Sequence, residues 1–199
     1  MDADSWDERY AAHEHVWSIT PNQFVERECS DLTPGRALDI ACGEGRNAAW
    51  LSSLGWQVTG VDFSQVAIDK ARASAPEVSW VCADVTTWRP DSSYDLAVLA
   101  YLHVTQDGRR AAVRMAYDSL EPGGTFLLVG HDSTNLTEGT GGPQDGSVLM
   151  TADDILDDLE GRDFTVESAG RVARMVPDGH GEAEMLTAWD CLVRLTRRV

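Results

Sequence analysis

Short apolar segments alternate along this chain with helix-like segments, and this alternation most constrains its fold. The apolar segments are residues 36–41, 57–62, 78–83, 95–102 and 125–129. The helix-like segments are residues 46–54, 65–75 and 108–120. Such alternation is typical of a parallel sheet, because each parallel crossover needs a long connection and usually contains a helix.

Two long strand patterns, 164–176 and 187–199, follow a helix expected over 151–159. Their connection, 177–184, is short enough for an antiparallel hairpin. Thr151 and Asp154 have capping-box spacing, and Ser64 is placed to cap the helix 65–75. We therefore predict an α/β fold: a seven-stranded, mostly parallel, doubly wound sheet with a C-terminal antiparallel hairpin and an N-terminal helical arm.

Charge and composition exclude several classes of partner. The chain has 33 acidic and 16 basic residues, a formal net charge of -17, which repels phosphate backbones and anionic lipid. No apolar run reaches the roughly 18 residues that span a bilayer, and the first residues lack a signal-peptide pattern. The four cysteines form no C-x-x-C pair, and His13-x-His15 has no third ligand. We expect no nucleic acid, no membrane, no metal, and reduced thiols in the cytoplasm.

A glycine-containing loop lies between the first predicted strand and the first predicted helix. Residues 38–48 read LDIACGEGRNA, and Asp62 stands at the carboxyl end of the second strand. Glycines there let the backbone approach a ligand, and an acid at that strand end can accept hydrogen bonds from ribose hydroxyls. Together they predict a nucleoside cofactor.

The charge of the loop indicates which cofactor. Asp39 and Glu44 would repel the pyrophosphate of a dinucleotide but would suit a cation. S-adenosylmethionine carries a sulfonium and an ammonium against one carboxylate, so electrostatics favours it over NAD.

Three ordered motifs resemble class I S-adenosylmethionine-dependent methyltransferases. They are D-x-x-C-G-x-G after the first strand, G-V-D-F-S after the second and A-D-V after the third. Trp6 to Tyr10, Trp17 and Pro21-Asn22 resemble the small-molecule subgroup near tellurite-resistance and thiopurine methyltransferases.

The resemblance implies a set of cofactor contacts. Asp39, Gly43 and Gly45 would line the methionine and ribose part. Asp62 would hold the ribose hydroxyls. The adenine would meet Phe63, Asp84 and Val85. Ala41, Asn47, Ser64 and Ala100 complete the expected cofactor set, with Trp17 either a lid over the sulfonium or a staple of the arm helix.

Candidate acceptor contacts follow the fourth and fifth strands. They are Tyr101, His103 and His131, the first two on one face if the chain is extended there. Each histidine could instead bond a nearby carbonyl. The sequence lacks N/D-P-P-[YF] after the fourth strand, which favours a small diffusible acceptor whose accepting atom could be sulfur, nitrogen, oxygen or another chalcogen.

We assign one domain to residues 1–199: an arm over 1–33, a cofactor-binding core over 34–130, and an acceptor-side loop, helix and hairpin over 131–199. The predicted function is methyl transfer from S-adenosylmethionine to a small molecule, with S-adenosylhomocysteine as product. Two alternatives stay open: an NAD-dependent oxidoreductase using the same loop, and a non-catalytic binding module.

Overall fold

A seven-stranded sheet forms the centre of the protein, in a computed structural model that describes residues 3–177 and 185–198. The strands are β1 (Arg36–Ile40), β2 (Gln57–Asp62), β3 (Ser79–Cys82), β4 (Tyr94–Ala100), β5 (Leu120–His131), β6 (Phe164–Pro177) and β7 (Met185–Arg197). The helices are α1 (Ala3–Ala11), α2 (Gln23–Cys29), α3 (Arg46–Ser53), α4 (Gln65–Ser74), α5 (Gln106–Asp118), α6 (Asn135–Glu138) and α7 (Ala152–Asp158).

The sheet order is β3-β2-β1-β4-β5-β7-β6, with β1 to β5 parallel and β7 antiparallel between β5 and β6. This confirms the predicted fold class. Part of the predicted connection 177–184 lies outside the described residues.

Alternate residues of the central strands enter two apolar clusters, one on each face of the sheet. Leu38 and Ile40 of β1 belong to one cluster, and Ala37 belongs to the other. In β5, Phe126 and Leu127 likewise face opposite clusters. Burial on both faces explains why these strands read as continuous apolar runs.

Of the strand boundaries that differ from prediction, two position candidate site residues. β4 ends at Ala100 because Tyr101 adopts a left-handed backbone with φ of 58°, so the extended chain predicted through residue 102 is wrong. β5 continues to His131 because β7 pairs with it to the His131–Asp190 register. The longer strand places His131 directly opposite Asp190.

The predicted caps are present. The Ser64 side chain accepts a hydrogen bond from the Ala67 amide at 3.1 Å, and Thr151 and Asp154 form a reciprocal capping box. The arm contains two helices, of which α2 is capped by Asn22, whose side chain accepts hydrogen bonds from the amides of residues 24 and 25.

Asp158 joins α7 to α5 through a buried charge network. Its side chain is fully buried and lies 2.7 Å from Arg109 Nε and 3.1 Å from Arg110 Nε. Arg114 Nε donates to the Asp158 carbonyl at 2.7 Å. Because Arg109 is itself 5% exposed, its charge depends chiefly on Asp158 for compensation; its other carboxylate partner, Asp154, lies 3.9 Å away.

The Asp158→Ala substitution should lower the free energy of unfolding by about 3–5 kcal/mol, because it leaves the Arg109 guanidinium buried without its counter-charge. Urea denaturation measures the change. Asp163→Ala, whose side chain is 73% exposed in its pair with Arg198, is the matched control and should cost at most about 1 kcal/mol. Equal effects of the two substitutions would contradict a stabilising role for the network.

Candidate active site

A cavity of about 1510 Å³ opens at the carboxyl ends of β1, β2, β4 and β5. The arm, the segment after β3, the loop after β5 and the last residues of β6 form its other walls. Ligands of open α/β sheets bind at this edge, where the strand order reverses. The volume exceeds that of a typical single-ligand pocket, so it can hold two small molecules side by side.

Two positions of the loop after β1 require glycine. Gly45 has φ of 79°, and a Cβ there would lie 2.3 Å from Trp80 Cη2. Gly43 has φ of 54°, and its Cβ would lie 2.7 Å from the Tyr10 hydroxyl. The positive φ and the close contacts both disfavour a side chain at either position. Both residues line the cavity, and they do so with backbone atoms.

Asp62 ties this loop to the end of β2. Its Oδ2 accepts from the Gly43 amide at 2.8 Å and its Oδ1 from the Ser64 amide at 2.9 Å. Burial raises the pKa of the carboxyl although these amide bonds oppose the rise. Each carboxylate oxygen keeps a second acceptor site, so Asp62 can order the loop and still bind hydroxyls.

The acids on which the cofactor prediction relied are placed differently from expectation. Asp39 is 1% exposed, does not line the cavity, and accepts from the Ala48 amide at 3.0 Å, which anchors α3. Glu44 is already neutralised by Lys70 Nζ at 3.1 Å. The inference that these two carboxylates present free negative charge to a cation is therefore wrong.

Lys70 and Glu44 fasten the arm to the core, and we call this pair the latch. Lys70 Nζ donates to the carbonyls of Tyr10, His13 and Glu14 at 2.7, 2.6 and 3.0 Å. Glu44 Oε2 accepts from the backbone amides of residues 16 and 17. No sequence pattern pointed to Lys70, because its partners are backbone atoms 56 to 60 positions away.

Trp17 lines the cavity, and its ring is in contact with the Arg9 guanidinium. It is 40% exposed, Arg9 lies 5.3 Å from its ring centroid, and Trp6 packs beside it at 6.4 Å. Its place at the cavity wall is compatible with a lid, and its contact with Trp6 of α1 with a staple.

Arg46, at the start of α3, is a site residue that sequence reasoning missed. It lines the cavity and donates from Nη1 to Ser18 Oγ at 2.9 Å. Within the described part of the chain it makes no ion pair. In a chain with twice as many acids as bases, an arginine without a carboxylate partner is a free anion receptor.

The acceptor side holds a cluster of aromatic and charged groups. The rings of His103 and His131 stack with centroids 5.2 Å apart, and Tyr101 lies 4.9 Å from His131. Burial, then the neighbouring His131, lowers the pKa of His103 to about 4, so His103 is neutral at pH 7. Asp190, also missed from the sequence, is fully buried beneath them.

The structure brings most predicted residues together at the cavity wall. The predicted cofactor residues that line it are Trp17, Ala41, Gly43, Gly45, Asn47, Asp62, Phe63, Asp84, Val85 and Ala100. Tyr101, His103 and His131 line it as well. Asp39 and Ser64 lie outside the wall, where each caps or anchors a helix.

The described residues hold neither a metal-ligand cluster nor a membrane-spanning helix. Among residues 3–177 and 185–198 no three His, Cys, Asp or Glu side chains are grouped as metal ligands. Within the same ranges no helix is long and apolar enough to cross a membrane.

Comparison with known sequences matches residues 37–124 to the family described as "Methyltransferase domain". Thiocyanate methyltransferase 1 of Brassica oleracea is 29% identical over 137 residues, covering 65% of this chain and 59% of that protein. Trans-aconitate 2-methyltransferase of Methylobacterium radiotolerans is 33% identical over 115 residues, covering 54% and 41%. The chain thus spans less than two thirds of the length of these relatives.

Comparison with solved structures identifies the same fold. TehB from Haemophilus influenzae has a TM-score of 0.76 at 16% identity, covering 98% of this chain and 67% of that one. The N-methyltransferase NodS from Bradyrhizobium japonicum, solved with S-adenosylhomocysteine, has a TM-score of 0.71 at 19% identity, covering 98% and 97%.

Asp39 should make stability depend on pH. Burial raises its pKa from 3.8 to about 7, so the folded state holds a proton that the unfolded state releases between these values. Stability from this group is therefore lost as pH rises from about 4 to 7. The unfolding free energy of Asp39→Asn, measured by denaturant titration, should rise relative to wild type between pH 5 and pH 8. A pH-independent difference would contradict the raised pKa.

Proposed function

We propose that this chain is a class I, Rossmann-like methyltransferase that transfers a methyl group from S-adenosylmethionine to a small molecule. The observation that carries the proposal is the glycine loop held by Asp62 at the cavity wall, inside the matched domain. The product would be S-adenosylhomocysteine.

The residues present fit this cofactor. Gly43 and Gly45 line the cavity with backbone alone, and Asp62 offers acceptors for the ribose. We assign the free guanidinium of Arg46 to the cofactor carboxylate, and Phe63, Asp84 and Val85 to its adenine. When bound, the cofactor supplies an activated methyl group on a sulfonium.

We propose a small-molecule acceptor, in contact with Tyr101, His103 and His131. Support comes from relatives named for thiocyanate and trans-aconitate, from the size of the cavity beyond one ligand, and from the acidic surface, which repels nucleic acid and anionic lipid. All four cysteines are free thiols, in accord with a proposed cytoplasmic location. We further propose that residues 1–199 act as one domain.

Isothermal titration with S-adenosylmethionine, S-adenosylhomocysteine and NADH tests the cofactor. Micromolar binding of the two sulfur ligands without binding of NADH is expected. Binding of NADH alone would favour the oxidoreductase alternative. Release of S-adenosylhomocysteine in an acceptor screen then separates an enzyme from a binding module, because a module binds the cofactor without turnover.

Asp62→Asn should weaken S-adenosylmethionine binding by about 1.5–3 kcal/mol, because it removes a charged acceptor of hydrogen bonds. That loss corresponds to a rise in Kd of roughly 10- to 150-fold. Asp69→Asn, a matched change on the exposed side of α4, should leave the Kd unchanged. A wild-type Kd in Asp62→Asn would disprove the ribose assignment.

A further inference from the structure

The antiparallel pairing of β5 with β7 puts a buried carboxylate beside a cavity histidine. His131 and Asp190 are register partners, and His131 Nδ1 lies 3.2 Å from Asp190 Oδ1. The two atoms are close but not aligned as a hydrogen bond, since Nδ1 is a buried atom without a hydrogen-bond partner. Catalytic pairs are often misaligned without substrate and tighten when charge develops on the imidazole.

The groups around Asp190 keep it ionised. Burial would raise its pKa, but its contacts with His131, Arg174 and Tyr101 lower the pKa overall. Arg174 Nε donates to Oδ2 at 2.6 Å and the Tyr101 hydroxyl donates to the same oxygen at 2.9 Å. Oδ2 thus accepts two hydrogen bonds, while Oδ1 lies 3.2 Å from His131 Nδ1 and accepts a longer hydrogen bond from Arg174 Nη2 at 3.5 Å.

The charges that face His131 come from three parts of the sheet. Asp190 on β7 lies 3.2 Å from the imidazole Nδ1, and Arg174 on β6 pairs with the same carboxylate at 2.6 Å. Tyr101 and His103, both after β4, are neutral neighbours. Asp190 and Arg174 carry opposite charges, and Asp190 is the member of the pair whose oxygen lies beside the imidazole.

The other ring nitrogen of His131 is available to a ligand. His131 lines the cavity, and among the described residues no hydrogen bond is made by Nε2. The His131 ring packs between the His103 ring and the backbone of Gly142. A Cβ added at Gly142 would lie 3.0 Å from His131 Nδ1, so the backbone there is in close contact with the ring. A fixed ring with a bare Nε2 is the arrangement a general base requires.

We propose that His131, oriented by Asp190, is a general base that deprotonates the methyl acceptor, and that the acceptor is therefore a protic nucleophile of the thiol or phenol class. The inference rests on the proposed methyl transfer. Asp190 is a positioning residue in it, since it acts through His131.

The step balances without a further reactant. The acceptor X–H bond breaks as its proton passes to Nε2, and the X–CH₃ bond forms as the methyl–sulfur bond breaks with its electron pair on sulfur. Asp190 stabilises the imidazolium, which returns the proton to water. An ionised acceptor such as thiocyanate or a carboxylate has no proton to lose and would gain nothing from this pair.

The tautomer of His131 tests the pair without any acceptor. Nitrogen-15 NMR of the protein with S-adenosylhomocysteine should show neutral His131 protonated on Nδ1 and bare on Nε2. Asp190→Asn should shift this tautomer balance. A wild-type ring protonated on Nε2 would overturn the inference, whatever the result for cofactor binding.

Acceptor kinetics test the class, read out as S-adenosylhomocysteine released. One set contains alkyl thiols and para-substituted phenols, and the other contains thiocyanate and small carboxylates. The best kcat/KM should fall in the first set. The His131→Gln substitution should lower kcat/KM about 10²- to 10⁴-fold and remove the decline of kcat/KM at low pH. The loss of kcat/KM should be smaller for the more acidic nitro-substituted phenol, which needs less help to lose its proton.

His131→Gln leaves the Asp190–Arg174 pair in place, so it remains informative if Asp190→Asn fails to fold. His13→Gln, on the arm outside the cavity, is the control and should keep wild-type kinetics.

A best acceptor from the ionised set, or an equal loss of kcat/KM for every acceptor, would overturn the inference while methyl transfer stood. If neither set reacts, the protonation site of the His131 ring measured by NMR decides whether the inference stands. A failure of the protein to bind S-adenosylmethionine or S-adenosylhomocysteine would instead refute the proposed function.

Discussion

The hydrogen bond from the Gly43 amide to Asp62 joins the ends of β1 and β2, and the cavity is organised around it. It fixes a loop that two left-handed glycines allow to turn, and that loop starts α3. Asp39 anchors the same helix from below. The position of Arg46, at the start of α3, follows from this short set of backbone contacts.

Local patterns were sufficient to predict the sheet and much of the cofactor wall. Burial on both faces made the central strands readable as apolar runs, and Ser64 and Thr151 have cap partners within three residues. The cofactor motifs are similarly local. The carboxyl ends of parallel strands all lie at the sheet edge that forms the cavity, so the residue that follows each strand can be placed there from its own neighbours in the sequence. The resemblance to class I methyltransferases is confirmed by the matched domain and the fold.

Two of the residues that escaped prediction, Lys70 and Asp190, depend on contacts between distant residues. Lys70 meets carbonyls of the arm, and Asp190 meets Tyr101 across 89 positions, so neither leaves a pattern in its own neighbourhood. Glu44 likewise reads as a free acid until its lysine partner is located, which is why the expected charge of the loop was wrong. The S-adenosylmethionine cofactor is supported instead by the domain match and the geometry of the site.

The latch has a chemical consequence, because Lys70 is the single lysine in the sequence. Its side chain is 28% exposed and its nitrogen is surrounded by three carbonyls and a carboxylate. An amine-directed reagent therefore has one side-chain target in this chain, and reaches it fully only when the arm undocks. The rate at which Lys70 is labelled would therefore report how often the arm undocks in solution, without any engineered probe.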